Sequence, residues 1–415
     1  MISPDITNAG CTEMISRRHL LAATGGLFAW SFMPRYAFAG QQRDPRFLTI
    51  ILRGAMDGLS AVAPLGDPDY VALRESIALS SSGDKPALSL DGFFALHPSL
   101  TNFSRLYAKG EASIIHAVAT PYRERSHFDG QDCLESGYEK IVANIESGWL
   151  NRALQVLPKG SRVSPTTALA VSTSNPIILR GSAPVMGWAP PSLPKADDDM
   201  LARVLDLYAA KDRHLFEALA ESRKIDALVS KTGMGADVKL RGNEFEQMKI
   251  MATGAARLMV AEDGPRIAAL SFNGWDTHAN EGGATGRLAQ LLSGLDNAIV
   301  AFEQGLKPVW KDTTIMIVTE FGRTAKINGT VGTDHGTATV AFLVGGAVKG
   351  GRVIADWPGL KTSSLYEARD LLPTTDLRSV SKAILKDQWG LSDKQLAETI
   401  FPGSAHIRPL AGLIA

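Results

Sequence analysis

Cysteine is nearly missing from this chain: it carries Cys11 and Cys133 and no others. Zinc-finger spacings are therefore excluded. Cys11 falls in an N-terminal leader, so the mature chain can form no internal disulfide, and Cys133 reads as a small buried hydrophobe inside a helix. Net charge is missing too, with 43 Lys and Arg against 43 Asp and Glu. That balance leaves no electrostatic footprint for nucleic acid or for an anionic membrane. The apolar stretch from Leu20 to Met33 is too short to serve as a permanent membrane anchor. What is present is 415 residues, 45% of them hydrophobic, enough for a large core and for one large or two ordinary domains.

The first residues read as an address. Ser16-Arg17-Arg18-His19-Leu20-Leu21 is a twin-arginine pattern, followed by the apolar stretch and by Ala37-Phe38-Ala39 before Gly40, a small-x-small cleavage site. Residues 1–39 are expected to be a signal peptide handed to the twin-arginine export machinery, with Met1 or Met14 as the start. The mature chain, residues 40–415, is then expected in the periplasm or outside the cell. Export in the folded state permits a metal to be loaded before crossing.

The mature chain alternates apolar runs with helical patterns. Arg46–Leu52, Ala112–Val118, Arg266–Phe272, Ile315–Val318 and Val340–Val344 read as strands buried on both faces, as in a parallel sheet. Ala168–Ser172 and Pro176–Leu179 read as shorter strands. Leu100–Ala108, Phe128–Gly137, Trp149–Leu157 and the stretch from Leu288 to Leu306 read as helices. Thr375 is the expected cap of a helix running to about Leu385. A proline-rich stretch from Pro184 to Pro194 marks a boundary. Beyond it, Asp197–Val229 and Phe245–Val260 suggest a helical insertion at roughly 190–262, a cap over the site. The expected fold is α/β, a mostly parallel central sheet flanked by helices.

In such sheets ligands bind where strands empty into loops. Several polar groups fall there. Asp57 follows the first strand in a glycine-flanked turn, where it reads equally as a ligand or as a turn aspartate bonding its own backbone. Ser126, beside His127 and two arginines, opens a helix, as a nucleophile or simply an N-cap. Asp276 and His278 form an Asp-x-His pair suited to a divalent metal such as zinc. Glu320 and Arg323 leave the Thr313 strand, and Asp334-His335 precede the next apolar run. His97 and His116 read as interior or turn residues.

RGAMDGLS, PYRERSHFDGQ, GWDTHAN, TEFGRT with the downstream NGTVGTDHGTA, and TTDLR together resemble the exported proteins of domain-of-unknown-function family 1501. The resemblance covers nearly the whole mature chain. It implies an alkaline phosphatase-like fold, shared with sulfatases and cofactor-independent phosphoglycerate mutases. It further implies a divalent metal, zinc as a candidate, with one or two ions, held among Asp57, Asp276, His278, Glu320 and His335. Ser126, Arg323 and His127 are implied as catalytic residues, with Arg125 as an alternative charge stabiliser. Phe321 departs from the pattern, because a histidine is expected there and a phenylalanine cannot ligate. The activity implied is hydrolysis or transfer of phosphate or sulfate esters, on a small molecule or a polymer. The rival expectation is a binding or envelope-assembly protein with a degenerate site.

Overall fold

The first strand, β1 (Arg46–Leu52), is buried along its entire length. Its side chains alternate between two cores: Leu48, Ile50 and Leu52 face one, Phe47 and Ile51 the other. A strand with apolar residues on both faces belongs inside a sheet covered on both sides. The computed structural model describes residues 45–157, 168–172, 175–190, 198–213, 215–217, 219–220 and 243–415. The expected signal peptide and the middle of the expected insertion lie outside the described residues.

The other strands of its sheet are β2 (Ala112–Ala119), β3 (Ala168–Val171), β4 (Val185–Trp188), β5 (Ile267–Phe272), β6 (Thr313–Val318), β7 (Thr339–Val344), β8 (Arg352–Ile354) and β9 (Thr375–Asp376). They form one nine-stranded sheet in the order β8-β2-β7-β6-β1-β5-β3-β4, with β9 also pairing to β2. Among these strands β7 alone runs antiparallel to its neighbours. The pairings of β1 with β5 and β6, of β3 with β4 and β5, and of β2 with β8 and β9 are parallel. The α/β expectation is met by this sheet.

Helices cover both faces. On one side lie α1 (Thr101–Ala108), α4 (Glu244–Val260) and α5 (Arg287–Gly305), whose Phe103, Met259, Leu295 and Phe302 pack on Ile315 and Ile317 of β6. On the other lie α2 (His127–Ser136), α3 (Trp149–Val156) and α6 (Leu377–Trp389), with Leu134, Leu150 and Ile384 against Met316 and Val318. Burying each Leu, Ile or Phe contributes about 1.5–3 kcal/mol. A further described helix spans Asp198–Lys211. Residues Pro45–Ala415 pack as one unit.

Three local expectations change. Ile177–Leu179 forms a 3-10 turn rather than a strand, because side chains satisfy its backbone: Ile178 N–H donates to Glu135 and Asn151 donates to the Leu179 carbonyl. β4 lies inside the proline-rich stretch read as a boundary. The helix α6 is capped by Asp376, which accepts from Arg378 N–H, while Thr375 pairs with Val118 in the sheet. His116 and Cys133 are interior, as expected. His116 Nε2 meets the Val62 carbonyl at 3.1 Å, and burial pushes its pKa down to about 4. Burial pushes the Cys133 thiol up to about 11.

The topology places the site. The exits of β1, β2, β5 and β6 share one edge of the sheet, since these strands are parallel or of the same sense. β7 runs the opposite way, so the segment that enters it, carrying His335, reaches that same edge.

Candidate metal centre

Four side chains converge at this edge. His127 comes from the first turn of α2, Asp276 and His278 from the loop after β5, and His335 from the segment before β7. His278 Nε2 lies 3.1 Å from Asp276 Oδ1, and His335 Nε2 lies 3.2 Å from the same oxygen. The two imidazole nitrogens are 3.0 Å apart. His127 Nε2 is 3.3 Å from Asp276 Oδ2 but is not aligned for a hydrogen bond, and it is buried without a hydrogen-bond partner. One ligating atom from each of His127, Asp276 and His335 falls within 4.8 Å of the others. His278 adjoins this trio through Asp276 and His335.

Each imidazole is held from behind. His127 Nδ1 meets Glu320 Oε1 at 2.9 Å, His278 Nδ1 meets Asp334 Oδ1 at 3.2 Å, and His335 Nδ1 meets the Arg125 carbonyl at 2.9 Å. A carbonyl and an ionised carboxylate only accept, so each Nδ1 carries the proton. Each Nε2 lone pair is thereby turned toward Asp276. Imidazoles fixed in this way, with Nε2 freed of any proton, are the arrangement in which protein histidines bind transition metals.

Glu320 has no exposed surface. Its Oε1 accepts from Gly54 N–H at 2.9 Å, from Gln131 at 3.0 Å and from His127, and its Oε2 accepts from the Thr319 hydroxyl at 2.8 Å. Burial pushes its carboxyl up, but the His127 and Gln131 bonds outweigh this and hold it below the usual range. Glu320 was expected as a metal ligand; its oxygens are instead filled by donors, and it orients His127. Gly54 is required here. Its φ is +117°, and a Cβ would lie 2.6 Å from Asp276 N. Gln131 sits one helical turn after His127, on the same face of α2. The sequence carried that signal within PYRERSHFDGQ. Gln131 is gripped in turn by Arg53, which also pairs with buried Glu135.

Arg323 is fully buried and each of its three nitrogens bonds within the protein: Nη1 to Asp276 at 2.6 Å, Nε and Nη2 to Thr333. It anchors Asp276 rather than facing a substrate. Burial raises the Asp276 carboxyl, yet the Arg323 bond and charge, with His278 and His127, hold it low. The Glu320 bond holds the His127 imidazole above the ordinary histidine range, against partial burial. Burial pushes His335 below that range, helped by the positive field of His127 and Arg323.

Asp57 does not join the cluster. It caps a short turn, accepting from Leu59 and Ser60 N–H, and it pairs with the fully buried Arg74. Burial raises its carboxyl, but the Arg74 charge wins and lowers it. Arg74 also faces Glu281 at 3.7 Å. Glu281, absent from the sequence reading, is pushed up to about 8 by burial and by the neighbouring Asp57. Ser126 stands at the N-cap of α2, yet its side chain does not bond the helix amides, so the hydroxyl is not spent on capping. Its N–H donates to the Tyr122 hydroxyl at 3.0 Å. Phe321 stacks on His127, ring centroids 5.0 Å apart and planes at 25°.

Residues 44–400 match the model of a family described as protein of unknown function, DUF1501. The chain belongs to that family. No curated protein matches this family member. Among solved structures it is similar to the phosphonate monoester hydrolase of Agrobacterium radiobacter, with 12% identity, 84% of this chain and 74% of that one covered, and TM-score 0.36. A sulfatase from Pseudoalteromonas sp. gives 13% identity, 81% and 68% coverage, and TM-score 0.35. A protein in the alkaline phosphatase superfamily from Vibrio parahaemolyticus gives 11%, 90% and 72%, and TM-score 0.33. At these scores the likeness says nothing about the chemistry of the DUF1501 chain.

Proposed function

We propose that His127, Asp276 and His335, with His278 beside them, hold one divalent cation, zinc fitting best, and that the protein is an exported hydrolase or transferase for phosphate or sulfate esters. The observation that carries this reading is the set of Nδ1 bonds that turns three imidazole lone pairs toward one carboxylate. Contacts of 3.0–3.3 Å between these donor atoms suit ligands around one zinc ion, whose bonds to nitrogen are about 2.0–2.1 Å. The buried, unpartnered His127 Nε2 is an orphan that a cation would satisfy.

The cation, when bound, would polarise an ester oxygen and lower the pKa of a nearby hydroxyl or water. Asp276 and the histidines fix its place. Arg323 keeps Asp276 ionised, and Glu320 keeps His127 in the ligating tautomer. Ser126, adjacent to His127, is the candidate nucleophile, its hydroxyl not spent on the helix cap. The twin-arginine pattern supports export of the mature chain by the twin-arginine machinery to the periplasm or outside the cell, and the substrate would be a small-molecule or polymer ester. Among the described residues no helix is long and apolar enough to cross a membrane.

A second reading, a binding or envelope-assembly protein with a degenerate site, draws on Phe321 and Asp57. One fills a position where a histidine is expected, and the other is committed to Arg74. Cation content of the mature protein, measured with hydrolysis of phosphate monoesters, diesters and sulfate esters, decides between them. Bound cation with turnover supports the enzyme; bound cation without turnover on any ester supports the binding protein.

A further inference from the structure

The rim beside His335 holds two arginines on a single buried carboxylate. Asp370 has no exposed surface; its Oδ2 accepts from Arg125 Nε and its Oδ1 from Arg369 Nε, each at 2.8 Å. The two guanidiniums are thus turned by their Nε edges toward Asp370. Both residues bond to His335. The Arg125 carbonyl accepts from His335 Nδ1, and Arg369 donates through Nη2 to the His335 carbonyl. Arg369 is 46% exposed, so its charge reaches solvent. Arg125 bears a further partner, Glu367, which is 57% exposed. The Arg125 guanidinium also lies 5.9 Å from the Tyr366 ring centroid.

The backbone at this rim is held in an unusual state. Arg125 has φ +65°, and the consecutive residues Glu367 and Ala368 have φ +52° and +54°. Side chains with a Cβ avoid that region, and such residues cluster where function over-determines the backbone. Glu367, within this segment, pairs with Arg125. The four charges, Arg125, Arg369, Asp370 and Glu367, sum to zero. Only one of the two carboxylates is buried; the other is a surface pair of the kind that contributes little.

We propose that Arg125 and Arg369, braced by Asp370, form the anion subsite of the centre, and that Glu367 is an internal counter-ion which the phosphate or sulfate group of a substrate displaces. This rests on the ester reading of the site. Planar guanidinium forks suit the paired oxygens of such groups. Removing Glu367 leaves the rim with one net positive charge.

The test is calorimetric titration of inorganic phosphate, and separately of sulfate, into the zinc-loaded mature protein, alongside the ester panel. Glu367→Gln should bind phosphate roughly two- to fivefold more tightly, the gain expected from removing a surface competitor. Arg369→Gln should weaken binding about tenfold or more, and Arg369→Lys, which keeps the charge but loses the fork, should weaken it less. Melting curves of each variant establish that it is folded. Unaltered phosphate affinity in both Glu367→Gln and Arg369→Gln would overturn the subsite, as would no phosphate binding by the unsubstituted protein. If those affinities stay level while esters are hydrolysed, the subsite fails and the hydrolase reading survives. If they shift as stated without any turnover, the subsite stands and the hydrolase reading fails.

Discussion

His127 Nδ1 lies 2.9 Å from Oε1 of Glu320, a carboxylate with no exposed surface that already accepts from Gly54 and Gln131. This bond decides what the site can do, because it fixes which nitrogen of His127 faces Asp276. Removing the carboxylate should therefore act through the histidine. Glu320→Gln is expected to lower cation affinity about 10- to 100-fold, the usual cost of losing a partner behind a metal-bound histidine. Competition with a chromogenic chelator measures it. Wild-type affinity in the variant would mean that Glu320 does not orient the ligand.

Cation affinity should rise with pH. The Glu320 bond holds His127 above the ordinary histidine value of about 6.5. A bound cation and a proton compete for the same Nε2, so binding releases the proton. Below the raised value affinity falls as the pH drops; above it affinity levels off. Calorimetry at pH 7 in buffers of different ionisation enthalpy should show proton release on zinc binding, and His127→Ala should show less.

Asp57 and its partner Arg74 are a structural pair. Asp57→Asn should destabilise the fold by on the order of 3 kcal/mol, since it strips charge from a buried ion pair. Cation stoichiometry should stay as in the wild type. Loss of bound cation in a folded Asp57→Asn protein would restore Asp57 as a ligand.

Glu281 gives a signature in alkaline solution. Its folded pKa of about 8 exceeds the reference value of 4.5, so the folded state holds this proton more tightly than the unfolded chain. The stabilisation is full below 4.5 and is lost as the pH rises toward about 8. Glu281→Gln stays neutral at every pH and so stands in for the protonated carboxyl. Its melting temperature at pH 9 should exceed that of the wild type, while the two converge at pH 5. A lower melting temperature at pH 9 would contradict a Glu281 carboxyl that burial and Asp57 hold protonated in the folded state.

Ser126→Ala tests covalent chemistry. It should fold normally, because the side chain does not cap α2, and it should lose ester turnover at unchanged cation content. Full turnover would remove the nucleophile role and leave an activated water.

The sheet was legible because its strands are apolar on both faces and its exits are marked by Gly, Asp and Glu. The place of His335 at this edge was legible for the same reason: it stands directly before an apolar run. The contacts behind the clustered side chains were not legible. Glu320 follows a strand just as a ligand would, and only the tertiary fold shows Gly54, Gln131 and His127 filling its oxygens. Asp57 could not be told from a ligand without Arg74, which shares no motif with it. Arg369 and Asp370 lie in a loop with no periodic pattern, so their meeting with Arg125, more than 240 positions away, leaves no local trace.

The most direct test of the centre is the metal content of purified mature protein, wild type and His335→Ala, after loading with zinc, manganese, magnesium or calcium and desalting. The account predicts one cation per chain in the wild type, zinc retained best, and loss of most of it in the variant. A wild-type protein that retains none of the four, or a His335→Ala protein that holds zinc equally well, would contradict it.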